Sequence, residues 1–162
     1  MTKSQKNSFR KFWTTLFSWI ILDQISKYII RARCLGHYTL PITILDNWIY
    51  IRPSFNTGAA WGMFSQSTYL LGLLGCLAVL VIFLTRKNLE VHTYQYTFGS
   101  ICGGIIGNII DRLLFGYVTD FIDVNLQIYR WPTFNIADSA ICIGITHYIL
   151  STSRRKSTNP CQ

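Results

Sequence analysis

The chain of 162 residues is half hydrophobic, only 14% charged, and carries a formal net charge of +8. Soluble domains carry roughly 25% charged residues, so the composition argues against a water-soluble globular domain, and the length suits a single one. Five cysteines without a CxxC pair and three scattered histidines leave no disulfide framework, metal site or cofactor to expect.

The first apolar run, residues 12–30, reads FWTTLFSWIILDQISKYII, and a bilayer-crossing helix needs about 20 such residues. It is too long and too polar for a cleaved signal peptide, and no small-residue cleavage site follows it. Its Asp23 and Lys27 are four residues apart, a favourable pairing distance on a helix. A structural ion pair is the plainest reading of them. Residues 31–67 follow, rich in Tyr, Ile, Trp and Thr, with strand propensity in HYTLPITILDNWIYIRPSF. They predict a small β-rich cap on the membrane surface. Inside it, SFNTGAAWG (54–62) is a turn of small residues that permits close approach. Its Asn56 is placed to hydrogen-bond a substrate backbone, although Asn-x-Gly turns are common.

The second span, 68–85, carries no charge. The third, about 97–115, holds Gly99, Gly103 and Gly107 at a four-residue spacing that lets another helix come close. Asn108 and Asp111 share one face of it. Asp111 with Arg112 reads as polar scaffold. Asp120 follows the end of this span, and residues 119–130 include a short predicted strand. The fourth span, about 134–151, repeats the same polar spacing with Asn135 and Asp138.

Cations fix the orientation. Lys3, Lys6, Arg10, Lys11, Arg86, Lys87, Arg154, Arg155 and Lys156 lie on one side; Arg31, Arg33, Arg52 and Arg130 lie on the other. The positive-inside rule then places both termini in the cytoplasm. Topology thus explains the basic excess, and no nucleic-acid partner is needed. Most of the few acids lie in or beside the spans. An ionisable group at membrane depth costs several kcal/mol and is a functional candidate.

Asp23, Asn108, Asp111, Asp120, Asn135 and Asp138 all fall toward the outer half, which predicts one shared site. Asp120 and Asp138 have no cation within four residues. Taken singly, one is a solvated loop acid and the other a helix N-terminal acid. Taken together, two nearby carboxylates share a proton, the state an aspartic hydrolase uses. A proton relay or a structural four-helix subunit would use similar groups, but a relay spreads them through the bilayer depth.

The blocks DQISK (23–27), NTGAAWG (56–62), GGIIGNIIDRLLFGYVTDFID (103–123) and FNIADSAI (134–141) resemble those of the lipoprotein signal peptidases, also called signal peptidase II. The resemblance spans essentially the whole chain. It implies an all-α membrane fold of four transmembrane helices with a small extracytoplasmic β-rich cap, as one integral membrane domain over 1–162. It also implies an aspartic endopeptidase of the bacterial inner membrane. Such an enzyme removes signal peptides from prolipoproteins, cutting N-terminal to a diacylglyceryl-modified cysteine at the outer leaflet. By motif, Asp120 and Asp138 are the catalytic pair. Asp23, Asn56, Asn108, Asp111, Arg112 and Asn135 line or support the site. The implied partners are diacylglyceryl-prolipoproteins and membrane lipid, with a monomer expected. Ile105 and Thr119 depart from the family pattern, which commonly has a small residue and a Val there. LLGC (73–76) looks like a substrate's cleavage motif, but its mid-span place makes it a chance match.

Overall fold

A computed structural model of the chain describes residues 3–35, 41–58, 67–85 and 92–158. The remainder of the SFNTGAAWG turn, from Ala59 to Gly62, lies outside the described residues, as do Arg86 and Lys87 of the loop after the second span. Four helices and three strands occur in the order α1 (Lys3–Leu35), β1 (Ile42–Leu45), β2 (Ile49–Asn56), α2 (Thr68–Thr85), α3 (His92–Phe115), β3 (Val118–Val124) and α4 (Ile136–Thr158).

Three of the helices are longer than their apolar runs. α1 covers 33 residues instead of 12–30, α3 starts at His92 instead of 97, and α4 ends at Thr158 instead of 151. The apolar run marks the part rich enough in hydrophobic residues for lipid, not the limits of the helix. No Gly or Pro stops the polar flanks from continuing the helix. Arg31 and Arg33 are therefore helical residues at the end of α1, not members of a loop. α2 matches its predicted bounds.

Stops and starts have local causes. Gly116 adopts φ +77° and its N–H reaches back to Arg112 O at 3.1 Å, ending α3 in a left-handed cap. α4 begins at Ile136, because Asn135 caps it from outside: Asp138 N–H donates to Asn135 Oδ1 at 2.9 Å, and Asn135 N–H donates to Asp138 Oδ2 at 3.2 Å. In the β1–β2 hairpin, Asn47 takes a φ of 65° and Trp48 N–H closes onto Leu45 O at 3.0 Å.

The sheet is antiparallel in the order β1-β2-β3. It is not built from 31–67 alone, since β3 comes from beyond α3. Its register pairs Ser54 with Asp120, Phe55 with Thr119 and Asn56 with Val118. The ladder is irregular between Ile51 and Ser54, where Pro53 has no N–H to offer. On the far side of β3, the amides of Phe121 and Ile122 donate to Phe134 O at 3.0 and 2.8 Å. Asp123 is fully buried between Arg52 Nε (3.1 Å) and Arg130 Nε (3.2 Å), tying β2, β3 and the following loop together.

α3 is the central helix, packed along α1, α2 and α4. Phe12, Leu16 and Cys102 form the buried apolar cluster between α1 and α3. The glycine stripe permits this approach: a Cβ on Gly103 would stand 2.8 Å from Leu16 O, and one on Gly99 2.7 Å from Phe12 O. The outward surface is apolar. Leu73, Leu77, Val81 and Leu84 of α2 are exposed, and only 11% of that helix's apolar window is buried. α2, with mean hydropathy 2.4, and residues 94–115 of α3, with 1.4, are long and apolar enough to cross a membrane.

Gly103→Leu should destabilise the protein by about 3 kcal/mol or more, because the side chain meets backbone on the facing helix. Gly116→Ala should cost about 1–2 kcal/mol, since only its left-handed conformation resists the change. Thermal unfolding of the two purified variants in one detergent checks this order.

Candidate active site

The polar residues of the spans meet at one end of the helices. Their lowest layer is a charge cluster. Lys27 has a fully buried side chain, with Nζ 2.9 Å from Asp23 Oδ2 and 3.4 Å from Asp111 Oδ2. It also donates to Asn108 Oδ1 at 2.9 Å. A buried ammonium is tolerated only when paired and hydrogen-bonded, and here both conditions hold. The predicted Asp23–Lys27 pair is present, but it is one edge of a larger network. Asp23 Oδ1 accepts the Ala137 N–H at 2.9 Å, in the first turn of α4. The cluster thereby joins α1, α3 and α4.

Asp111 is paired with α1 rather than with its neighbour Arg112. Arg31 Nη1 lies 3.3 Å from Asp111 Oδ1, and the Thr119 N–H donates to Asp111 Oδ2 at 2.9 Å. Arg112 turns the other way, reaching Gly58 O at 3.3 Å.

Above this layer, three asparagines hold two aspartates. Asn108 uses its carbonyl on Lys27 and Asn135, and its Nδ2 donates to Asp138 Oδ1 at 2.8 Å. Asn135 Nδ2 donates to Asp120 Oδ1 at 2.6 Å. Asn56 Nδ2 donates to Asp120 Oδ2 at 3.0 Å, while its Oδ1 accepts the Gly58 N–H at 2.9 Å. With the Asn135 N–H on Asp138 Oδ2, each oxygen of both carboxylates accepts a hydrogen bond. The β3–Phe134 backbone pairing makes this possible, because it brings residue 120 beside residue 135. Among the described residues no direct hydrogen bond joins Asp120 to Asp138; Asn135 links them.

Asp120 is almost fully buried. Burial first, and then the nearby charge of Asp138, push its carboxyl up to about 7, while the bonds from Asn56 and Asn135 pull it down. Both aspartates face a cavity of about 990 Å³, shared with Asn56, Asn108 and Arg112 and walled by apolar groups such as Phe55 and Ile141. Asp23, Asp111 and Asn135 stand buried behind it. Among the described residues no cluster of three or more His, Cys, Asp or Glu is placed to hold a metal.

The predicted residues thus come together, with one change of detail. Asn56 both lines the cavity and donates to Asp120, because β2 pairs with β3 in that register. Asn135 lies outside the helix as its cap, not inside its first turn. Arg31 and Thr119 were missed. The sequence held a signal for Arg31: with Asp23 and Lys27 it continues an i, i+4, i+8 series on one helix face.

Two acids held over one cavity, Asp120 from β3 and Asp138 from α4, beside helices apolar enough for lipid, fit one class: an aspartic-type peptidase of the membrane. A family model described as Signal peptidase (SPase) II matches residues 15–154. The chain belongs to that family. The lipoprotein signal peptidase of Janthinobacterium sp. (strain Marseille) is 36% identical over 141 residues, covering 84% of each chain. That of Ralstonia nicotianae is 34% identical over 142 residues, 85% of this chain and 80% of the relative. A bacterial membrane enzyme solved by the in meso method at 2.3 Å superposes with a TM-score of 0.81 at 28% identity, covering 92% of this chain and 90% of that one. A second such structure, at 1.9 Å, gives 0.74 at 29% identity, over 86% and 90%.

Lys27→Met should destabilise the fold by about 3–5 kcal/mol, because two buried carboxylates lose their shared cation. The measure is the denaturant midpoint in micelles; a loss below about 1 kcal/mol, the range of an exposed pair, would count against the cluster as the structural hub.

Proposed function

We propose that the chain, as a signal peptidase acting on prolipoproteins, cleaves its substrate N-terminal to a diacylglyceryl-modified cysteine, with Asp120 and Asp138 as the catalytic pair. The observation that carries this reading is the pairing of two carboxylates, each held by asparagine donors, over one mainly apolar cavity. Asp120 holds the proton, because it is the more deeply buried of the two and lies beside another acid. As a water adds to the scissile carbonyl carbon, Asp120 gives its proton to the carbonyl oxygen and Asp138 takes one from the water, leaving a tetrahedral gem-diol. Asp138 then passes its proton to the leaving amide nitrogen. The C–N bond breaks as a gem-diol hydroxyl returns a proton to Asp120, leaving a carboxylic acid and a free amine. Arg112 faces the same cavity and offsets the charge the two acids carry. Asn56, Asn108 and Asn135 hold the carboxylates; Asp23 and Asp111 support them from behind.

Four membrane spans fit this reading. α1 and α4 also expose apolar faces, with Phe17, Ile21 and Ile25 on the first and Ile145 and Ile149 on the second. Asp23 and Lys27 of α1 turn inward and Asp138 of α4 faces the cavity, as intramembrane charges do. With the cation distribution, this supports a multi-pass protein of the bacterial inner membrane with both termini cytoplasmic. It would act as one integral membrane domain over 1–162 and as a monomer. The cavity then opens at the outer leaflet, where a lipid-modified cysteine is tethered. Its apolar wall suits acyl chains.

Asp120→Asn and Asp138→Asn should each lower turnover of a diacylglyceryl-modified prolipoprotein by at least roughly 10³-fold while the protein stays folded. Near wild-type turnover by either variant rules the pair out. A pH profile gives a second check. Because the Asp120 carboxyl is raised to about 7, its proton is lost above that pH, and activity should fall on the alkaline side. Asn56 stabilises the ionised form, so Asn56→Ala should move this alkaline limb to higher pH. A limb that stays in place, or moves down, would show that Asn56 does not act on the titrating group.

A further inference from the structure

Thr119 sits in a specific set of contacts. It is fully buried, one residue before Asp120. Successive residues of a strand face opposite ways, so Asp120 faces the cavity while Thr119 faces α1 and α3. There Arg31 Nη1 donates to Thr119 Oγ1 at 2.9 Å. The same nitrogen contacts both oxygens of Asp111, at 3.3 and 3.4 Å. The Arg31 guanidinium also lies over the Phe115 ring, 4.3 Å from its centre. Its side chain is only 16% exposed, so it is held on several sides rather than solvated.

These contacts close a loop. Asp111 fixes the Thr119 backbone through its N–H, Arg31 fixes the side chain, and Arg31 and Asp111 fix each other. On the other edge, Thr119 pairs with Phe55 in the ladder. A valine here would keep the backbone bond and the shape but lose the hydroxyl. Arg31 would then face a methyl group where it had an acceptor at 2.9 Å, keeping only its longer contacts to Asp111.

We infer that Arg31 is a positioning residue of this peptidase: through the Thr119 hydroxyl it sets the start of β3, and so the aim of Asp120 at Asn135 and the cavity. This rests on the proposed role of Asp120. Arg31 touches neither Asp120 nor Asp138 among the contacts described, so its influence is on geometry. A small displacement of a catalytic group costs rate far more than it costs substrate affinity.

The test is a set of purified variants assayed on a diacylglyceryl-modified prolipoprotein, each first checked for an unchanged unfolding midpoint. Thr119→Val and Arg31→Met should each lower kcat roughly tenfold, with KM within about twofold of wild type. Thr119→Ser, which keeps the hydroxyl, should retain turnover. The double variant should be no worse than the poorer single one, because both remove the same contact. Wild-type kcat in Thr119→Val, an equal loss in Thr119→Ser, or multiplicative losses in the double variant would each overturn the inference. If Arg31→Met does not fold, the Thr119→Val and Thr119→Ser comparison still decides. Asp120→Asn is run beside them: if it retains turnover, the catalytic pair itself is wrong, a result distinct from a silent Thr119→Val.

Discussion

Burying Lys27 constrains everything near it. An ammonium taken out of water loses several kcal/mol of solvation, and good geometry with opposite charges must offset that loss. Two carboxylates and one amide carbonyl supply it, and they come from two different helices. Asp23 in turn takes the Ala137 N–H of a third helix. The set is complete only when α1, α3 and α4 are in register together. The glycine stripe of α3 lets them come close enough: a Cβ on Gly107 would lie 2.6 Å from Asp23 Oδ2. In lipid there is little hydrophobic drive between helices, so close packing and polar bonds of this kind carry the association.

The reactive layer is built on that base by amides. An asparagine side chain offers both a donor and an acceptor without adding charge. Asn108 points its carbonyl down to Lys27 and its nitrogen up to Asp138, so the orientation of one end sets the other. Asn135 does three tasks at once: it caps α4, bonds Asp120 and bonds Asn108. The helix-terminal reading of Asp138 and the catalytic reading are therefore not rivals. The capping contact with Asn135 holds the same carboxylate that the proposed chemistry uses.

The sheet makes the remaining connection. β3 follows α3 after a single glycine turn, pairs with β2 on one side and touches Phe134 on the other. It carries Asp120 to the mouth of the helix cluster. Asp123 binds Arg52 and Arg130 on the same strand, so β3 is fixed at both ends. The proposed catalytic pair thus sits where a strand fixed on both edges crosses the top of the helix group, with Arg31 and Thr119 at the join.

How much of this the sequence held depends on the range of the interaction. The apolar runs, their cationic flanks, the glycine stripe, the Asp23–Lys27 spacing and the aspartate motifs were legible, because helical periodicity and lipid compatibility are local properties. By itself the sequence determined helices apolar enough for a membrane, which polar groups gather at one end of them, and which two acids to single out. Tertiary structure alone decided that Asp111 answers Lys27 and Arg31 instead of Arg112, that Asn56 turns onto Asp120, and that Thr119 meets α1. Those pairings join residues 64 to 88 positions apart. Their geometry follows from strand register and helix contact, which no local spacing encodes.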